Sequence, residues 1–212
     1  MECGRHLFRE SKPLCHVCLA ELPLCGFSAR AGNRVEELFY GRVRLEAATS
    51  YLYFKKYGIV QRLSHQLKYK GRQDIGRWAG EVLGEEMLRS ERFLSIDLVM
   101  PVPLHSKKLR KRGYNQVTRF GQGLADQLNV PFKEDILTRC YAGRSLTAKN
   151  RIERNETMKD AFSLACPGRI RDKHILLVDD IITSGATLEA CARMVLNVPG
   201  TRVSLATMAV TL

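Results

Sequence analysis

At 212 residues the chain has room for one sizeable core, or for one domain with a small appendage. Its 45% hydrophobic and 26% charged residues are those of a folded globular protein, and no apolar run approaches the roughly 20 residues that cross a bilayer, which argues against membrane insertion. Thirty-four Lys and Arg against 22 Asp and Glu leave a formal charge of +12, a balance that suits a polyanionic partner, whether nucleic acid or a small phosphorylated ligand.

The opening M-E-C-G-R-H-L-F-R-E-S-K holds no apolar stretch of the kind a secretory leader needs, so a cytoplasmic chain is expected. There its seven cysteines stay reduced unless a metal claims them, and four of the seven fall within the first 25 residues. Residues 1–35 are rich in Cys, Gly and Pro and short of apolar period, as in a small unit that needs a staple. Residues 36–212 read as the main domain. Cys140, Cys166 and Cys191 are expected as small buried hydrophobes.

From Ala47, A-A-T-S-Y-L-Y-F reads as a strand, and Ile59, Val60, Leu63 and Leu67 follow Gly58 at helical spacing. Ile75, Trp78, Ala79, Val82, Leu83 and Met87 keep that rhythm in a helix opened by Asp74. D-L-V-M-P-V-P-L is a short strand closed by prolines; a basic loop and a helix carrying Val117, Phe120, Leu124 and Leu128 come next. A short strand is expected over 136–141, a central buried strand at H-I-L-L-V-D (174–179), a helix marked by Leu188, Cys191, Met194, Val195 and Val198, and a last strand at R-V-S-L-A-T-M-A-V. Alternating strands and helices predict an α/β fold with a doubly wound parallel sheet.

The most informative stretch is L-L-V-D-D-I-I-T-S-G-A-T-L at 176–188. A buried strand there delivers Asp179 and Asp180 to the carboxyl edge of the sheet, where ligands bind in open α/β folds. The turn after them, Thr183, Ser184, Gly185, Ala186 and Thr187, opens a helix. Its amides lack helical partners, the helix dipole favours an anion, and three hydroxyls add donors. Two carboxylates beside such a cradle suit vicinal sugar hydroxyls. Neither G-x-x-x-x-G-K-[ST] nor G-x-G-x-x-G occurs, which disfavours an ATP-hydrolysing loop and a dinucleotide fold; a simple helix cap at Asp180 or Thr183 is the plainer alternative.

The whole string resembles the phosphoribosyl pyrophosphate (PRPP) signature of type I phosphoribosyltransferases. The resemblance implies that Asp179 and Asp180 hold the ribose 2′ and 3′ hydroxyls and that residues 183–187 hold the 5′-phosphate. Upstream, P-V-P and R-G-Y-N-Q resemble the ends of the pyrophosphate loop of that superfamily, which puts Arg112, Gly113 and Tyr114 near the pyrophosphate, with Lys107, Lys108 and Lys111 as an outer basic rim. The polar stretch between Cys140 and Phe162 corresponds to the superfamily's closing lid, where Arg144, Lys149, Arg151 and Arg154 would meet the leaving group.

L-K-Y-K-G (67–71), P-V-P-L-H, R-G-Y-N-Q and D-D-I-I-T-S-G-A-T occur in the order found in the ComF family, and the run from Leu38 to Gly71 is most similar to members from Bacteroidetes. That family joins an N-terminal zinc-ribbon-like cysteine module to a phosphoribosyltransferase-like domain and is associated with DNA uptake in competent bacteria. By this resemblance Cys3, Cys15, Cys18 and Cys25 would hold a structural Zn²⁺, although only Cys15-His16-Val17-Cys18 forms a complete C-x-x-C and His6 or His16 are alternative ligands. Leu146 and Thr157 stand where the family usually has Gln and Asn. Two functions stay open: a PRPP-binding protein that handles single-stranded DNA during uptake, and an active, Mg²⁺-dependent phosphoribosyltransferase of unknown acceptor.

Overall fold

The computed structural model describes residues 13–139 and 162–211. Two short helices, α1 (His16–Ala20) and α2 (Arg34–Glu37), precede strand β1 (Ala48–Phe54); α3 (Ile59–Tyr69), α4 (Gln73–Leu88), β2 (Leu98–Pro101), α5 (Ser106–Arg112) and α6 (Thr118–Leu128) follow. The remaining elements are β3 (Leu137–Arg139), β4 (Phe162–Leu164), β5 (His174–Ile182), α7 (Ala186–Leu196) and β6 (Arg202–Thr211).

Four strands form a parallel sheet in the order β1-β6-β5-β2, and β3 and β4 pair antiparallel beside it. The H-I-L-L-V run of β5 is buried throughout because both faces of the strand are covered. One core holds Leu176 and Val178 with α3, α4 and α6, and a second holds Ile175 and Leu177 with α7 and the β3–β4 pair. Helices on both faces make the sheet doubly wound, as expected.

The α4–α6 contact is unusually close because glycines lie in it. A Cβ on Gly80 would sit 2.2 Å from the Phe120 carbonyl oxygen, and one on Gly123 would sit 2.5 Å from that of Arg77. These two helices thereby carry Trp78, Leu83, Phe120 and Leu124 into the first core.

Residues 13–35, expected as part of a separate cysteine-rich unit, contribute Leu14, Cys18 and Leu22 to the first core and Cys25, Phe27 and Val35 to the second. They also cover the free edge of the sheet. The Cys25 amide donates to the Tyr51 carbonyl at 3.0 Å and the Tyr53 amide to the Pro23 carbonyl at 2.8 Å, an antiparallel bridge that blocks further pairing at β1.

Two expectations are corrected. The basic stretch after the prolines is a two-turn helix, α5, and not a loop: His105 caps it by accepting from the Lys107 amide at 3.2 Å, and Gly113 ends it at φ 81. Cys166 is exposed, because the short 3-10 turn over Pro167–Ile170 buries Ile170 and leaves the preceding residue in solvent. Cys191 is buried as expected, and Cys140 lies outside the described residues.

Candidate functional site

Strand β5 and the start of α7 build the site. The first intrahelical hydrogen bond of α7 runs from the Glu189 amide to the Gly185 carbonyl at 2.8 Å, so the amides before it have no helical acceptor. Gly185 is left-handed at φ +74 and packs on the Phe39 ring, where a Cβ would approach Cζ to 2.9 Å. Thr183, Ser184, Gly185, Ala186 and Thr187 thus line a small concavity of about 50 Å³ that Asp179 borders.

Successive strand residues point to opposite faces, and the acidic pair obeys this. Asp179 lies on the α7 side with the turn, and its carboxylate accepts from the Asp180 amide at 2.8 Å. Burial, and then the neighbouring Asp180 carboxylate, push the Asp179 carboxyl far above the usual carboxylate range. Register places Thr207 of β6 beside Asp179, and among the described residues its buried hydroxyl is without a hydrogen-bond partner.

Asp180 faces the other side. Its Oδ2 receives Lys68 Nζ at 2.7 Å and Gln116 Nε2 at 3.0 Å, and its Oδ1 accepts from the Ile181 amide at 2.8 Å. It forms one wall of a cleft of about 730 Å³ whose other walls include Lys68, Tyr69, Lys108, Lys111, Arg112 and Tyr114. Arg112 donates to the Gln116 side chain and stacks 5.6 Å over the Tyr69 ring, while the Tyr114 hydroxyl donates to the Leu67 carbonyl. A cleft with four basic side chains and one paired carboxylate is an anion site.

The structure therefore brings Arg112 and Tyr114 to Asp180, and sets the turn around Asp179 on the other side of the same strand end. Gly113 contributes through its backbone, by ending α5. Arg144, Lys149, Arg151 and Arg154 lie outside the described residues, as does Cys3. Of the other expected zinc ligands, Cys15 and Cys18 stay together around α1, whereas Cys25 packs in the second core. Burial pushes the Cys25 thiol up to about 12, against the lowering effect of a hydrogen bond with Ser50. No group of three or more His, Cys, Asp or Glu side chains placed for a metal occurs among the described residues.

Three contributors escaped the sequence reading. Lys68 and Gln116 stand inside the motifs L-K-Y-K-G and R-G-Y-N-Q, where their pairing with Asp180 was the missing signal. Arg42 gives no local signal at all: it reaches Ser184 across 142 residues of sequence.

Residues 118–210 match the phosphoribosyl transferase domain family, a span running from α6 to β6 that includes the acidic pair and the turn. The DNA utilization protein YhgH of Salmonella typhi is 30% identical over 138 residues, covering 64% of this chain and 60% of that protein. Competence protein F of Haemophilus influenzae is 35% identical over 102 residues, 46% of this chain and 43% of that protein. The chain thus spans at most about 60% of the length of these curated relatives. Among solved structures, the glutamine PRPP amidotransferase from B. subtilis complexed with ADP and GMP superposes with a TM-score of 0.47 at 19% identity, over 68% of this chain and 30% of that one.

Proposed function

We propose that the chain, similar to DNA utilization protein YhgH and Competence protein F and carrying a match to the phosphoribosyl transferase domain, is a ComF-family protein that binds PRPP or a related phosphoribosyl ligand in the service of DNA uptake. The observation that carries the proposal is the arrangement at the end of β5: a phosphate-sized cradle bordered by Asp179, with a basic cleft walled by Asp180 on the other face. In this reading the amides and hydroxyls of residues 183–187 hold the 5′-phosphate, the acidic pair accepts hydrogen bonds from the ribose hydroxyls, and Lys68, Lys108, Lys111 and Arg112 hold the pyrophosphate.

The donor set fits Mg²⁺, since carboxylate oxygens beside a diphosphate are the hard ligands it prefers; when bound, the ion would neutralise the pyrophosphate charge. Lys68 already neutralises Asp180 in its absence. Zn²⁺, when bound, would draw on Cys3, Cys15, Cys18 and Cys25. Cys25 and Cys191, both buried thiols, support a reducing, cytoplasmic setting. Among the described residues no helix is long and apolar enough to cross a membrane.

Handling of single-stranded DNA is supported by the relatives' names and by exposed aromatic side chains beside positive charge. Tyr57 is 88% and Tyr69 62% exposed, whereas Tyr51 is buried against Trp78 and is unable to stack on a base. Calorimetric titration with PRPP and Mg²⁺ tests the ligand, alongside pyrophosphate release with a panel of nucleobases and ammonia, and DNA binding at several salt concentrations. PRPP binding without turnover, together with a steep salt dependence of DNA binding, is the expected result. Turnover above background would favour the transferase instead, and absence of PRPP binding would reject the assignment.

A further inference from the structure

The loop between α2 and β1 packs against the back of the phosphate turn, and one side chain ties the two together. Arg42 Nη1 donates to the Leu38 carbonyl at 2.7 Å and to the Ser184 carbonyl at 2.9 Å, while Nη2 pairs with the Glu189 carboxylate on the first turn of α7. Arg193 holds the same carboxylate from Nη2 at 2.9 Å and also donates to the Arg42 carbonyl. Burial alone would raise the Glu189 carboxyl, but the hydrogen bonds and charges of Arg193 and Arg42 hold it below its ordinary value.

The peptide unit joining Ser184 to Gly185 is planar and trans, so its C=O and N–H point in opposite directions. Fixing the Ser184 oxygen on Arg42 aims the Gly185 amide away from Arg42. Arg42 lines a surface groove that adjoins the cradle at Ala186 and is itself absent from the cradle's lining, so an amide aimed away from Arg42 is aimed to the cradle side. Rotation of this peptide would present a carbonyl oxygen to the phosphate in place of a donor, and a left-handed glycine is the residue that permits such a rotation. We propose that Arg42 is a positioning residue of the phosphate site: it locks the Ser184–Gly185 peptide with its amide toward the anion, and thereby sets affinity for the 5′-phosphate without touching the ligand. The inference rests on the phosphoribosyl reading of this site.

The test compares wild type with Arg42→Met and Arg42→Lys by calorimetry against ribose 5-phosphate and, separately, inorganic pyrophosphate, with ¹H–¹⁵N spectra of the ligand-free proteins. Arg42→Met is expected to lose about tenfold or more in ribose 5-phosphate affinity, the effect of one misdirected hydrogen bond to a charged group. Pyrophosphate binding in the cleft beside Lys68 stays unchanged, and Arg42→Lys recovers part of the loss. The Gly185 amide resonance in Arg42→Met should shift and broaden or split. Equal affinity for ribose 5-phosphate in wild type and Arg42→Met would overturn the proposal, as would parallel losses for both ligands. If wild type binds no ribose 5-phosphate, the proposed ligand fails, yet the spectra still judge Arg42: an unshifted, single Gly185 resonance in Arg42→Met rejects its positioning role.

Discussion

Replacing Gly185 by Ala probes the phosphate turn through two separable costs. Gly185 holds φ +74, a left-handed conformation that disfavours an L-residue by about 1–2 kcal/mol. The added methyl would also stand 2.9 Å from Phe39 Cζ and 3.1 Å from Cε1, and Phe39 is fully buried, so the ring must move within a packed core at about 1–3 kcal/mol. Together the substitution should destabilise the fold by about 2–5 kcal/mol, read as a lowered urea midpoint at unchanged slope. Phe39→Leu removes both ring atoms that the methyl meets. In that background the cost of Gly185→Ala should shrink to the backbone share of about 1–2 kcal/mol, a coupling a double-mutant cycle resolves. Equal costs in the two backgrounds would refute the packing of the turn on Phe39, and no cost in either would refute the left-handed turn itself.

Asp179, whose carboxyl is raised by burial and by Asp180, binds its proton more tightly folded than unfolded, so stability should fall as pH rises from about 4 through the raised value. Asp179→Asn should therefore raise the melting temperature of the ligand-free protein at neutral pH and flatten that slope; an unchanged slope would contradict the burial of the charge. His174 shows the opposite sign: burial, then Arg202, lowers its pKa while Ser95 and Ser204 hold its ring nitrogens at 2.9 Å each. Its unfolded form takes up the proton first, so stability should decline on acidification below about pH 6.5, and His174→Gln should remove that decline, as denaturant melts across pH would show. Gly80→Ala, whose methyl would fall 2.2 Å from the Phe120 carbonyl oxygen, should cost about 3 kcal/mol by forcing α4 and α6 apart, measurable as a lowered denaturation midpoint.

Much of this architecture could be read from contiguous patterns. The run 175–178 is apolar at every position and lies between β6 and β2. The string from Asp179 to Thr187 carried the site because strand, acids and turn are consecutive, which also explains why the separation of the two acids onto opposite faces follows from strand alternation once the strand is known. The basic helix α5 was missed because it buries no side chain and so leaves no apolar period; its caps, His105 and Gly113, were the available signal. Leu14, Cys18 and Leu22, four residues apart, lie in the first core, a packing partner that the cysteine-rich composition of the stretch does not reveal. Lys68 on Asp180, Arg42 on Ser184 and Gly80 on Phe120 are contacts between distant segments, and composition and periodicity carry no information about which segments meet.

A crystal structure of the chain soaked with ribose 5-phosphate tests the phosphoribosyl site most directly. Phosphate oxygens about 2.7–3.2 Å from the amides of residues 184–187, with the ribose hydroxyls toward the acidic pair, are predicted. Phosphate found only in the cleft between Lys68 and Arg112, with the turn after β5 empty, would contradict it.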